Sequence, residues 1–165
     1  MRKLTVFLIL LIFLTGCTFQ NDDILFSYRQ KDLIYGNSQG VIAQERREAS
    51  GHEDDIQYLL KLYLEGPLDD NLVSPFPPGT ALESITFSNQ TAYVTLNEVY
   101  AELDGMAHTV ASACMAQTCF DLTNVETVVI KCHSQEFGNK SITLTRDSLV
   151  LFDDATAPVA TEPGE

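Results

Sequence analysis

Sixteen consecutive residues, Gly105 to Phe120, contain no aspartate, glutamate, lysine or arginine, in a chain that carries 23 acidic and 10 basic side chains. The run is bounded by Asp104 and Asp121 and predicts a helix from about Gly105 to Phe120. A surface helix normally shows water a polar face. This one has none, so something has to cover it. At helical spacing Ala107, Val110, Ala111, Cys114, Met115, Thr118 and Leu122 form a stripe that can face a sheet. Ser112, Ala113, Ala116 and Gln117 then make a smooth outer surface of small side chains. That surface either lies under the segment by which the chain enters the domain, or meets a partner or a second copy, where small side chains permit close approach. These four residues are the candidate protein interface.

The same run holds Cys114 and Cys119. Five residues along a helix turn two side chains about 140° apart and hold their Cα atoms about 8–9 Å from each other. A disulfide needs Cα atoms closer than about 7 Å, and zinc and redox motifs use tighter spacings such as C-x-x-C. The pair cannot bond to each other and is expected as small, polarizable core residues. Cys132 makes the number of domain thiols odd. One disulfide from Cys132 to either helical cysteine stays open beside the expected state of three buried free thiols. No metal and no cofactor is expected.

Around this helix the chain alternates between strand and helix patterns. "DILFSYRQKDLIYG" and "GVIAQERRE" read as extended segments. Ser50 and Glu53 have the spacing of a capping box, which predicts a helix starting there. Ile56, Leu59, Leu60, Tyr63 and Leu64 give that helix its apolar stripe, and Gly66-Pro67 ends it. The loop "PLDDNLVSPFPPGT" holds four of the six prolines, so it is expected without ladder hydrogen bonds. "LESITF" and "TAYVTL" alternate with period two and form a hairpin across "SNQ". "VETVVIKC" is a buried strand, and "SITLTRDSLVLF" supplies the last strand after a "GNK" turn. The expected fold is α/β: a small mixed or antiparallel sheet with two helices packed on one face.

The first residues, "MRKLTVFLILLIFLTGC", set a basic start before an apolar run from Leu4 to Leu14. That run is short of the roughly 20 residues a spanning helix needs and fits the h-region of an export signal. Leu14-Thr15-Gly16-Cys17 resembles the bacterial lipobox, so Cys17 is the expected site of lipidation and the first residue after cleavage. The expected organisation is 1–16 as lipoprotein signal peptide, 17–23 as anchor and linker, 24–152 as the domain and 153–165 as a disordered acidic tail. Net charge is −13, and without Arg2 and Lys3 the remaining 8 basic residues face 23 acidic ones. That balance argues against nucleic acid as a partner.

The sequence offers little for catalysis. His52, His108 and His133 show no H-x-x-x-H spacing, and no G-x-S-x-G or phosphate loop is present. Cys114 and His108 lie six residues apart on one helix, well off a shared face. Asp69-Asp70 and Asp153-Asp154 read as solvated loop charge. The chain is read as a non-enzyme.

"YLLKLYLEGP", then "VSPFPPGTALESITFSNQTAYVTLN", then "TCFDLTNVETVVI" together resemble the GerMN domain, with Glu65-Gly66-Pro67 and Pro77-Pro78-Gly79-Thr80 as the specific signatures. The resemblance covers roughly Ile24 to Phe152. It implies a bacterial surface lipoprotein module tied to sporulation and spore germination, with a fold similar to the ring-building motifs of secretion-like assemblies and no catalytic residues. The single copy departs from the sporulation member, which has two, and so does the thiol-rich second helix. The expected function is a lipid-anchored, non-catalytic scaffold or stabiliser of an envelope protein complex on the outer face of the cytoplasmic membrane, with an envelope protein or a second copy as partner. The alternative is a ligand-binding lipoprotein that presents a cell-wall fragment or small solute to a membrane partner. A deep apolar pocket would favour the alternative, and a flat small-residue helix face would favour assembly.

Overall fold

Two sheets, rather than one, enclose the uncharged helix. The computed structural model describes residues 23–31, 42–49 and 51–153. Cys17, the leader, Ser50 and the tail after Asp153 lie outside the described residues. Strands β1 (Asp23–Gln30) and β2 (Ile42–Glu48) pair antiparallel, and β3 (Leu72–Val73) joins β1 at Arg29 and Gln30. The order of this first sheet is β2-β1-β3. The second sheet, β4-β5-β6-β7, contains β4 (Leu82–Ser88), β5 (Thr91–Leu96), β6 (Thr127–Ser134) and β7 (Gly138–Thr145). Helices α1 (Ile56–Leu64), α2 (Gly105–Leu122) and α3 (Arg146–Asp153) and a 3-10 turn at Glu98–Glu102 complete the described chain.

Local chemistry sets the element ends. Helix α1 starts at Ile56, later than the Ser50/Glu53 spacing predicts, because the Asp55 side chain accepts from the Tyr58 amide at 3.0 Å and caps it there. Glu53 instead accepts from the Gly51 amide. Leu59, Leu60 and Tyr63 are buried as the stripe predicts. Gly66, at φ 102°, takes the left-handed step after the helix, and Pro67 follows it. Strands β4 and β5 are joined by Asn89 and Gln90, both at positive φ, the two-residue turn whose twist suits a hairpin.

Strands β5 and β6 run parallel, from Thr91↔Thr127 to Leu96↔Cys132. Parallel neighbours require a crossover, and α2 supplies it. Relative to this second sheet both long helices lie on one face, as expected: α2 against β6 and α1 against β4. Its inward residues Ala92, Val94, Leu96, Val128, Ile130 and Cys132 are buried.

The incoming segment covers the far side of α2. Strand β1 packs along that helix, and the backbone of Ser27, which β3 does not reach, is satisfied by side chains: its N–H donates to Thr118 Oγ1 at 2.9 Å and its C=O accepts from the Tyr63 hydroxyl at 2.8 Å. An aromatic chain runs through the core, with Tyr63 5.4 Å from Phe26 and 5.7 Å from Phe76 between ring centroids, and Phe76 6.4 Å from Tyr100.

Two expectations for the periphery change. The proline-rich loop contributes β3, so two of its residues do join a ladder. The segment "SITLTRDSLVLF" is not one strand: Gly138, Asn139 and Lys140 already belong to β7, and the chain turns helical at Arg146. Ser148 Oγ accepts from the Thr145 amide at 3.0 Å and donates to its carbonyl, which closes a cap at the start of α3.

Candidate interaction surface

The residues nominated as a protein interface are mostly interior. Ser112, Ala113 and Ala116 are buried, and Gln117 is partly covered while donating to Asp121 at 3.0 Å. Ser112 sits about 120° around α2 from Thr118, and its hydroxyl lies 2.7 Å from the Tyr100 hydroxyl under the second sheet. The side of α2 opposite β1 is therefore core, and the small residues there allow close approach within the molecule. Of the stripe opposite, Ala111, Cys114, Met115 and Thr118 are buried, whereas Ala107 is exposed.

Cys114, Cys119 and Cys132 are free and buried. Burial pushes the thiols of Cys114 and Cys119 up to about 12, and burial also raises that of Cys132 against the nearby Lys140 cation. At neutral pH these groups stay protonated and supply no thiolate. His108 points its Nε2 at the Tyr100 hydroxyl, 3.2 Å away, and not along the face of Cys114. Burial and then Lys140 hold His108 below the usual histidine range, and burial pushes Tyr100 up to about 12. The cluster is a small polar network that ties the 3-10 turn to α2. Among the described residues no group of three or more His, Cys, Asp or Glu side chains is placed to hold a metal.

A second polar cluster holds the turn that contains Glu65-Gly66-Pro67. Glu45 and Arg47 stand two apart on β2, on the same face as Phe26 and Ile24 of β1, and form an ion pair in which both side chains are under 10% exposed. Glu45 Oε2 accepts from the amides of Leu68 at 2.8 Å and Asp69 at 2.7 Å. Arg47 donates to the Gly66 carbonyl and lies over the Phe26 ring at 5.3 Å. The pair fastens the turn after α1 to the first sheet. The sequence reading missed it, although the period-two spacing in "ERRE" carried the signal.

One broad surface open to a partner is the outer face of the second sheet. Its registers align Ser84, Thr95, Lys131 and Ser141 in one row, Thr86, Tyr93, Val129 and Thr143 in the next, and Ser88, Thr91, Thr127 and Thr145 in a third. His133 and Asn139 extend it at one end and hydrogen-bond to each other. Nine of these fourteen residues are serine or threonine, none is acidic, and none is buried. The other openings are shallow. A groove of about 500 Å³ lies between the start of α1 and the inner side of β4, lined by Glu53, Asp54, Asp55, Ile85 and the half-exposed Phe87. A smaller one at the end of α2 contains Asp121, Glu126 and Arg146. No helix among the described residues is long and apolar enough to cross a membrane.

Comparison with known proteins agrees with this architecture. The family model Germane, described as sporulation and spore germination, matches residues 32–136. Among solved structures, the tandem GerMN domains of the sporulation protein GerM from Bacillus subtilis superpose with a TM-score of 0.52 at 16% identity. That match covers 73% of this chain and 43% of the tandem chain. A Clostridium perfringens protein assigned as a lipoprotein matches with a TM-score of 0.42 at 20% identity, over 76% of this chain and 89% of that one. No curated protein matches the sequence. With the family model spanning more than half of its residues, from before β2 to the turn between β6 and β7, the chain belongs to the Germane family of sporulation and spore germination domains.

Proposed function

We propose that this chain is a lipid-anchored, extracytoplasmic Germane module that acts without catalysis as a scaffold or stabiliser of an envelope protein complex in sporulation or germination. The family match over residues 32–136 carries the reading. The leader and the Leu14-Thr15-Gly16-Cys17 motif support an anchor through Cys17. The buried, protonated thiols and the structural role of His108 fit a module without reaction chemistry. The alternative of a solute-presenting lipoprotein calls for a deep apolar pocket, whereas the groove beside α1 is open and acidic. Its envelope partner, or a second copy, would meet residues other than Ser112, Ala113 and Ala116, which are core.

Two experiments test the reading. Deletion of the gene in its native host should cut the count of heat-resistant spores and leave vegetative growth unchanged; an unchanged spore count overturns the sporulation role. Cys17→Ala should abolish lipid labelling and leave the precursor uncleaved, and normal processing of that variant overturns the anchor.

A further inference from the structure

The outer face of the second sheet has a composition unlike the rest of the molecule. In a chain with 23 acidic residues its three aligned rows hold no carboxylate, Glu83 standing at their edge in the bulge between Leu82 and Ser84, and their one formal charge is Lys131, whose Nζ lies 5.6 Å from the centre of the Tyr93 ring. Of its nine serine and threonine hydroxyls only that of Thr91 has a partner among the described residues, the Asn89 carbonyl at 3.5 Å. The other eight are free to bond outward. Each can donate and accept, and the sheet fixes them on a lattice of about 4.8 Å across strands and about 6.8 Å along them.

We infer that this face binds an extended polysaccharide chain. The inference rests on the extracytoplasmic location proposed above and adds a ligand to it. A polysaccharide carries hydroxyls of the same dual character at close spacing, and an extended one can lie flat on a flat sheet. Tyr93 and Val129, paired at the centre of the face, give a sugar ring a small apolar platform, with Thr86, Thr91, Thr95, Thr127 and Thr143 around it and Lys131 beside the Tyr93 ring. The absence of carboxylates from the three rows lowers the repulsion that the rest of this acidic surface would exert on wall polymers bearing negative charge. A protein partner fits less well. Four strands and three rows cover roughly 300–400 Å², about half of what one side of a standard protein interface buries. Tyr93 is the face's one large aromatic, which leaves little for the clustered anchors that dominate protein contacts.

The test is co-sedimentation of the full chain, purified in detergent micelles, with two insoluble polymers: chitin, an uncharged amino-sugar chain, and peptidoglycan stripped of protein and accessory polymers. Saturable binding to at least one is expected. Thr95→Glu with Thr143→Glu should weaken it at least tenfold, Thr127→Val with Thr143→Val should weaken it several-fold by removing hydroxyls without changing shape, and Met106→Glu, outside the face, should bind as the parent does. Melting temperatures show that each variant folds, and the valine pair remains as the probe if the glutamate pair does not. A parent chain that stays in the supernatant with both polymers overturns the inference. So does a folded glutamate variant that sediments as the parent does, or face variants that alter only the oligomeric mass in sedimentation velocity. Failure of Cys17→Ala to block processing would remove the anchor and leave this binding result standing on its own.

Discussion

Arg47→Met should destabilise this domain more than almost any other single change to a charged residue. Arg47 and Glu45 are 6% and 8% exposed at their side chains, so the substitution leaves a carboxylate in the interior without its cation. Removing one partner of such a buried pair costs about 3–5 kcal/mol, out of a total that for a domain of this size is about 5–15 kcal/mol. The Gly66 carbonyl loses its donor in the same step, and the methionine keeps some of the packing over Phe26. The drop corresponds to roughly 10–25 °C in melting temperature, measured by far-UV circular dichroism and checked by urea titration. Pairing the change with Glu45→Leu separates charge from geometry. In general a buried pair can be replaced by apolar residues at little cost, but here the amides of Leu68 and Asp69 lose their acceptor, at about 1–3 kcal/mol for each that stays dry. The double variant should therefore recover part of the loss, with hydrogen exchange at Leu68 and Asp69 faster than in the parent. A loss below about 1 kcal/mol for Arg47→Met, or unchanged exchange at both amides, refutes the reasoning.

Three further outcomes follow from the same structure. Cys114, Cys119 and Cys132 should resist alkylation at neutral pH in the folded chain and react on unfolding; rapid labelling of any of them under native conditions contradicts their burial. Because the folded pKa of His108 is depressed, its contribution to stability is present above the unfolded value of about 6.5 and is lost as pH falls through the folded value. His108→Gln should flatten that part of the pH profile, and an NMR titration of His108 at or above the ordinary value would sink the argument. Gln90, at φ 59° in the hairpin turn, adopts a conformation that costs a non-glycine residue about 1 kcal/mol, so Gln90→Gly should raise stability by up to that amount in urea denaturation. A destabilised variant would mean that the turn is not of this type.

The elements that sequence reasoning recovers are those with a strong local period. The stripe of α1, the alternation in β4 and β5 and the end at Gly66-Pro67 are written in neighbouring residues. The start of α1 went wrong because Asp55 competes with the Ser50/Glu53 spacing, and only the observed bond to Tyr58 decides between them. The last strand ends earlier than its apolar pattern predicts because the single hydroxyl of Ser148 caps a helix on the Thr145 backbone, a weaker signal than the apolar residues around it. The two-sheet arrangement was invisible locally: the uncharged helix announced that it must be covered, but not that strands at the opposite end of the chain would cover it. The burial of Ser112, Ala113 and Ala116 follows from that arrangement, and so does the failure to see them as core. The hydroxyl face was present in the sequence as every second residue of four strands, but it becomes a surface only once the registers align them.

Thr118 and Ser27 are 91 residues apart in the chain, and that separation constrains the order in which the chain can fold. The amino-terminal strand is made first, yet the groups that satisfy its open edge arrive with α1 and, much later, with α2. Until then the β1–β2 hairpin is a bare two-stranded ribbon, marginal in water, with unpaired backbone groups at its rim. The parallel pairing of β5 and β6 must also wait for the intervening helix, and contacts of such long range slow folding. The amino-terminal third cannot consolidate ahead of the rest. A chain cut before residue 118 should therefore lose β1 from the folded state, and the whole domain should gain its structure in one late, cooperative step.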